Sequence, residues 1–248
     1  MNVPVIVPVY TLAPLATGVQ IIAAGIDMLA TLSIDARYID KKIVILGDSA
    51  GGWISLRLIL ALTELASAED GSSRNELDTV LPGAWDILQK HDLKTIRAIR
   101  DKVKAVILFS PAIDLEMANM SDRSVESLDP ALRFPFVETV ARLWTYGPND
   151  FPGFVDRLPS DNTDPLIIAA RDFPLGHPFH SPANGVESLA RYATNHKLKI
   201  LAICGTHDIL HPANKRLADK MGTLDLPCVD YEFHSVSRCE QSDERMSG

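Results

Sequence analysis

The sequence predicts an α/β fold, in which a three-layer, doubly wound, mainly parallel sheet carries helices on both faces. Three observations predict it. Short apolar runs alternate with helix-type segments along the 248 residues, and such alternation implies right-handed crossovers between parallel strands. The chain is 46% hydrophobic, which is enough for one sizeable core. At residues 43–52, an apolar run passes into a helix-type run through glycines and a serine.

The N-terminal segment predicts a short buried strand, Val3–Tyr10, followed by a loop and a helix over about Ala16–Leu32. No charged residue lies between Val3 and Ile26, a length that mimics a membrane span. Prolines interrupt the segment, and no basic residue flanks it as a signal peptide would require. The sequence therefore predicts a strand and a helix here and no membrane span.

The remaining elements follow the same alternation. Ile43–Leu46 is a compact apolar strand, and Trp53–Ala66 is a helix that is apolar almost all round and therefore buried. The later part of the chain predicts three further strands and one helix: strands Ala105–Ser110, Lys199–Cys204 and Val229–Phe233, and a helix over Pro212–Met221.

We predict one domain over residues 1–248, with two segments that break the alternation. Residues 67–102 begin with a polar stretch that we expect to be exposed to solvent, and they form an insertion. Residues 116–182 are rich in Pro, Asp and aromatic residues and form either a surface elaboration or a cap over a pocket, since long insertions in compact domains are often lids. In the cap interpretation, four aromatic side chains provide an apolar substrate site: Phe134, Phe136, Trp144 and Tyr146. The tail, 235–248, is polar and predicted to fray.

Charge and cysteine content exclude some classes of protein. The net charge is −8 with both signs interspersed, which argues against a nucleic-acid partner. The three cysteines, Cys204, Cys228 and Cys239, are odd in number and widely spaced. They favour a reducing compartment, so we expect a cytoplasmic protein, with a membrane-associated protein as the alternative. The sequence does not indicate an oligomeric state.

Residues 47–51, Gly-Asp-Ser-Ala-Gly, fit the pattern G-x-S-x-G between a strand and a helix. Such a corner strains the residue at its apex and needs small neighbours, and it projects the Ser49 hydroxyl above the sheet at the positive end of a helix. The Ala50 amide then points to where an oxyanion would form. The alternative is a glycine-rich turn with an incidental serine. A trypsin-like "GDSGG" is excluded because a long helix follows.

Four segments together resemble the hormone-sensitive-lipase-like branch of the α/β-hydrolases, in particular the fungal steryl acetyl hydrolase type. They are "PVYTLAP" at 8–14, "ILGDSAGG" at 45–52, "LFSPAIDL" at 108–115 and "ICGTHDIL" at 203–210. The resemblance implies hydrolysis of small or lipid-like carboxylic esters by a Ser-Asp-His triad that needs no cofactor. Ser49 matches the nucleophile and Asp208 the acid. From the residues alone, Asp208 could merely cap the next helix, and Asp114 is a second candidate acid.

The chain departs from this family in two places. The family has a His-Gly-Gly-Gly segment well upstream of "YTLAP", so the resemblance implies a truncated chain whose sheet lacks one flank and whose recognisable oxyanion donor is Ala50. The family's histidine follows the last strand, and Arg238 falls in its position. Arginine is effectively never deprotonated, which leaves His234, four residues earlier, as the candidate base. We therefore expect a serine esterase whose activity these departures would impair, or alternatively an inactive hydrolase-fold remnant that binds a ligand.

The segment from His207 to His211 faintly resembles a metalloprotease helix. His207 lies at a strand end and Pro212 begins the helix, so the i, i+4 geometry of a zinc site is lost. We therefore expect no metal.

Overall fold

The computed structural model describes residues 3–12, 15–68, 81, 83–116, 123–146, 173–192 and 197–237. Within these ranges, four strands form one parallel sheet in the order β1-β2-β3-β4. The strands are β1 (Ile43–Asp48), β2 (Val103–Phe109), β3 (Leu198–Gly205) and β4 (Val229–Val236). Because all four strands are parallel, their carboxyl ends meet at one edge of the sheet.

Six α-helices are described beside the sheet, and α2 follows β1 without a loop. They are α1 (Gly18–Ile34), α2 (Ala50–Ala66), α3 (Ala84–Lys90), α4 (Leu93–Lys102), α5 (Phe134–Tyr146) and α6 (His211–Thr223). Helix α2 is the centre of the core: it packs against β1, β2, α1 and α4, while α6 packs against β3 and β4. The predicted α/β class with a parallel sheet is confirmed, and the six elements predicted from Ile43 onward lie within a few residues of their observed bounds.

The predicted strand Val3–Tyr10 is wrong. Residues 3–12 form no strand, and the side chains of Val3, Val5, Val7 and Val9 are exposed, the last of them fully. Alternating apolar residues need a neighbouring strand before they can form a ladder, and none of the four described strands pairs with this segment. Pro4 and Pro8 also have no backbone N–H to donate. Because they are four residues apart, both missing donors would lie on the same edge of a strand.

Two predicted segments differ from their expected roles. Helix α4, inside the predicted insertion 67–102, buries Ile96 and Ile99 completely against the core, so this part of the segment is core structure. Strand β4 continues to Val236, where Ser235 pairs with Cys204 and Val236 with Gly205. The strand therefore continues into the predicted frayed tail, because its backbone still finds partners on β3; residues from 238 onward lie outside the described residues.

The two faces of the sheet differ in burial. On one face, the side chains of Val106, Leu108, Ile200 and Ala202 are fully or almost fully buried. The alternate residues on β1 point the other way, and Val44 and Leu46 are 57% and 63% exposed. Phe109 on β2, in register with Asp48, is also exposed. Parallel sheets usually bury both faces, so this bare face is unusual for the fold.

Candidate active site

Ser49 stands at the corner between β1 and α2 with a strained backbone. Its φ is 52° and its ψ is −115°, a conformation that a side chain with a Cβ rarely adopts and that costs about 1–3 kcal/mol. Strand β1 ends at Asp48 and α2 begins at Ala50, so Ser49 alone reverses the chain. A residue held under strain at the carboxyl edge of a parallel sheet indicates a functional position.

Two glycines make this corner possible, and one of them lies outside the five-residue pattern. A Cβ on Gly47 would lie 2.0 Å from the Gly51 carbonyl oxygen, and one on Gly52 would lie 2.5 Å from Pro111 Cβ. A Cβ on Gly51 would meet nothing within 4 Å. The close approaches therefore explain Gly47 and Gly52, whereas the last glycine of G-x-S-x-G has no steric role here.

The corner is held against β2 by backbone hydrogen bonds, and among the described residues the Ala50 amide has no acceptor. The Ser49 N–H donates to the Phe109 carbonyl at 2.9 Å, and the Ser49 carbonyl accepts from Ala112 N–H at 3.1 Å. No described residue accepts a hydrogen bond from the Ala50 N–H, the first amide of α2. An amide with no described acceptor, in the first turn of a helix and next to a serine, is a candidate oxyanion-hole donor.

Asp208 lies just beyond the carboxyl end of β3, at the same edge of the sheet as Ser49, with β2 between the two strands. Its Oδ1 accepts from Leu210 N–H at 2.8 Å, within the turn before α6. The N-cap residue of α6 is Leu210, which has no side-chain cap hydrogen bond, so Asp208 does not cap the helix itself. Its carboxylate also faces the Cys204 thiol. Burial, reinforced by the nearby Asp208 charge, raises the pKa of Cys204 to about 12, which keeps this thiol neutral.

Two residues that sequence reasoning missed hold the Asp208 loop, residues 206–210, in place. The Asn214 amide nitrogen donates to the Pro111 carbonyl at 3.0 Å and the Leu210 carbonyl at 2.9 Å, which joins α6 to the segment packed on Gly52. The Asp129 Oδ2 accepts from Ile209 N–H at 2.9 Å. No short pattern contains the Asn214–Pro111 and Asp129–Ile209 pairs, because they join residues 103 and 80 positions apart.

Asp114, the second candidate acid, is committed to other contacts. Its Oδ2 forms an ion pair with Arg216 Nη2 at 2.8 Å, and its Oδ1 accepts from the Ser181 hydroxyl at 3.2 Å. The Ser181 hydroxyl oxygen in turn accepts from the Leu115 and Glu116 amides. Asp114 thus ties α6 to the segment after β2.

The structure does not bring His234 to Ser49. The side chain is exposed, and its Nε2 lies 2.5 Å from Glu232 Oε1. His234 is in register with Ile203 on β3, which is in register with Phe109 and then Asp48. Three strand spacings of about 4.8 Å separate β4 from β1 by ~14 Å, far beyond a hydrogen bond. Arg238, the other residue considered at this position, lies outside the described residues.

The other two histidines at this edge are also away from a triad arrangement. His207, next to Asp208, is exposed and forms no hydrogen bond with another described residue. The His211 Nε2 lies 2.8 Å from the Ser235 hydroxyl, at the end of β4. No described contact joins an imidazole to the Ser49 hydroxyl.

The four predicted pocket aromatics have different surroundings. Phe134 and Trp144 on α5 are buried, and the Trp144 ring packs edge to face on Trp53, with the centroids 5.3 Å apart. Trp53 lies in the first turns of α2 and donates to the His180 carbonyl. Phe136 is 60% exposed, and the Tyr146 side chain lies outside the described part. Trp144 thus packs into the core beside α2, and no described contact places these rings at Ser49.

Among the residues that the structure describes, no group of three or more His, Cys, Asp or Glu side chains could hold a metal ion. Within the same ranges, no helix combines the length and the apolar character that crossing a membrane requires.

A family model described as the alpha/beta hydrolase fold matches residues 1–152, more than half of the chain. The comparison with curated proteins found no match.

Solved structures with a similar backbone fold include a hormone-sensitive-lipase homologue and two esterases. The hormone-sensitive-lipase homologue EstE7 from a metagenome library is 16% identical, with a TM-score of 0.47, and the match covers 87% of this chain and 51% of that one. A bacterial esterase of the same lipase family is 18% identical, with a TM-score of 0.43 and coverage of 83% and 46%. A double mutant of the esterase E40 is 19% identical, with a TM-score of 0.47 and coverage of 91% and 54%. The chain spans about half the length of these structures.

Proposed function

The chain belongs to the family of proteins with the alpha/beta hydrolase fold, and on this premise we propose that it is a carboxylic-ester hydrolase with Ser49 as its nucleophile. The observation that carries the proposal is the strained Ser49 backbone, φ 52°, beside the Ala50 amide, for which no described residue is the acceptor. A protein maintains such strain where the surrounding structure requires it, and functional sites are where it concentrates. The proposed substrates are small or lipid-like esters.

In this proposal the reaction is acyl transfer in two steps. The Ser49 Oγ attacks the ester carbonyl carbon while its proton passes to a base, and the Ala50 N–H stabilises the negative carbonyl oxygen. The intermediate collapses, the alcohol leaves with a proton, and the acyl group stays on Ser49. Water then attacks the acyl group and releases the acid. Asp208 is the proposed carboxylate that orients this base.

The alternative function is a catalytically inactive member of the fold that binds a ligand. One observation favours it: the His234 imidazole is engaged by Glu232 and lies on the strand farthest from β1. A serine hydroxyl is a weak nucleophile without an adjacent base. The two functions therefore differ in one measurable property, the reactivity of the Ser49 hydroxyl.

Labelling with a fluorophosphonate probe measures that reactivity. We expect the purified 248-residue chain to be labelled on the peptide that contains Ser49, as determined by mass spectrometry, and the Ser49→Ala variant to remain unlabelled. Ser110→Ala is the matched control, because Ser110 is the second described non-glycine residue with a positive φ, 39°, and also follows a strand. This variant should still be labelled at Ser49.

Two results would speak against the esterase. Labelling that persists in Ser49→Ala would place the reactive group elsewhere. A chain that is folded but takes up no probe, even at long incubation, would support the inactive ligand-binding alternative.

A further inference from the structure

Asp129 is a buried carboxylate whose hydrogen bonds to other described residues all go to backbone amides, and these belong to two separate segments. It is 5% exposed. Its Oδ1 accepts from the Ala131 and Leu132 amides at 2.8 Å each, and its Oδ2 accepts from the Ile209 amide at 2.9 Å. The first two amides lead into α5, and the third belongs to the residue that follows Asp208. One side chain therefore bridges α5 to the Asp208 loop, residues 206–210.

The segment before α5 is built to hold this carboxylate. The Arg133 Nη1 donates to the Asp129 carbonyl at 2.6 Å and to the Glu126 carbonyl at 3.1 Å. Glu126 Oε1 accepts from Phe134 N–H, the first amide of α5, at 2.9 Å. Burial works against the ionised form, but the three amide hydrogen bonds outweigh it and hold the pKa of Asp129 below its usual value. The carboxylate is therefore charged at neutral pH, and charge-assisted hydrogen bonds are the strong ones.

The Asp208 loop needs such a tie, because its own contacts leave the Ile209 amide without a partner. Within the loop, Asp208 N–H donates to the Gly205 carbonyl, and the Leu210 and His211 amides donate to Asp208. Ile209 is fully buried, and a buried amide without an acceptor is costly. Asp129 supplies that acceptor from a segment 80 positions earlier in the chain.

We infer that Asp129 is a positioning residue: it fixes the Asp208 loop relative to α5, so that the place of α5 and the place of the Asp208 carboxylate are coupled. The coupling is a property of the described contacts. Its bearing on catalysis rests on the proposed function, in which Asp208 orients the base.

Amide hydrogen exchange on the full chain tests the coupling without any activity. In Asp129→Ala, we expect exchange at residues 206–211 and 131–134 to become about tenfold faster or more, because the Ala131, Leu132 and Ile209 amides lose their acceptor and the two segments lose their tie, while β2 stays protected. Asp92→Ala is the matched control: Asp92 accepts from the Thr95 amide at the start of α4, and its loss should change exchange near Thr95 alone. Asp129→Asn, which keeps one acceptor oxygen, should give an intermediate result and guards against a variant that does not fold.

Each result has a clear meaning. Faster exchange at 131–134 with no change at 206–211 would overturn the coupling, and an equal rise in β2 would show a general loss of stability instead.

Hydrolysis of p-nitrophenyl butyrate is the second measurement: Asp129→Ala should lower kcat with KM unchanged, and Asp92→Ala should alter neither. Faster exchange at 206–211 with unchanged kcat, where Asp208→Ala abolishes turnover, would overturn the positioning role and leave the esterase intact. Turnover that survives Ser49→Ala would instead refute the esterase and leave the exchange result to decide the coupling.

Discussion

The corner at Ser49 and the end of β4 stand at the same edge of the sheet but differ in how completely they are arranged for catalysis. At the corner, the strained serine, the close-packed Gly47 and Gly52 and the Ala50 amide with no described acceptor form one consistent arrangement. At the end of β4, the strand continues to Val236 and the His234 imidazole bonds to Glu232 on its own strand.

The difference shows which parts of a catalytic site a local sequence can specify. The corner depends on steric contacts among a few consecutive residues and on one neighbouring strand, so a short pattern encodes it. A base that must reach Ser49 from the last strand depends on where that strand ends and how the chain then turns across the edge of the sheet. The described part of the chain satisfies the first requirement, and His234 does not satisfy the second.

The largest expected effect is on the rate of ester hydrolysis, and it compares Ser49 at the corner with His234 near the end of β4. Ser49→Ala should abolish hydrolysis of p-nitrophenyl butyrate, whereas His234→Ala should leave the rate unchanged, because His234 is bonded to Glu232 and lies three strands away. A general base contributes about 100- to 10,000-fold, so the two outcomes for His234 are easily distinguished in initial rates. His207→Ala and His211→Ala, the other histidines at this edge, complete the comparison. A loss in His234→Ala as deep as that in Ser49→Ala would mean that the strand end rearranges to deliver the base.

A smaller effect concerns the two adjacent glycines of the corner. Gly52→Ala should lower the free energy of unfolding by about 1–3 kcal/mol, because its Cβ would overlap Pro111. Gly51→Ala should raise it by up to about 1 kcal/mol, because Ala is the better helix former and nothing obstructs its Cβ. Urea unfolding of both variants measures the difference. Equal losses in the two would show that the packing of Pro111 on Gly52 is not what constrains this corner.

The smallest expected effect is a difference in stability that measures the backbone strain at residue 49. Ser49→Gly and Ser49→Ala both remove the hydroxyl, but glycine alone tolerates the positive φ. We expect Ser49→Gly to be more stable to urea than Ser49→Ala by about 1 kcal/mol, the lower range of the cost of such backbone strain. If the alanine variant were equally stable, the backbone at residue 49 would be relaxed and the argument from strain would fail.

Much of the fold follows from the sequence because its signals are local. The apolar runs that became β1 to β4 and the run that became α2 each carry their own periodicity. The pattern at 47–51 identified the strand-to-helix corner for the same reason. Val3–Tyr10 has an equally clear alternation, yet it forms no strand, because pairing requires a neighbour that the pattern cannot supply.

The parts of the site that sequence reasoning missed depend on distant residues. Asn214 reaches Pro111, and Asp129 reaches Ile209, only after the chain has folded. Neither residue belongs to a recognisable pattern, and an Asp or Asn in a loop is usually a turn or cap residue. Trp144 illustrates the opposite case: an aromatic residue predicted as a pocket wall packs on Trp53, because large apolar side chains serve the core as readily as a ligand.

The bare face of the sheet has a consequence for the heat capacity of unfolding. That quantity grows with the apolar surface that becomes hydrated when a chain unfolds, and the side chains of Val44 and Leu46 are already largely hydrated in the native state. They therefore add little to it. The stability of this chain should accordingly vary less with temperature than that of a parallel sheet of equal size with both faces covered, with a flatter maximum and a weaker tendency to unfold in the cold.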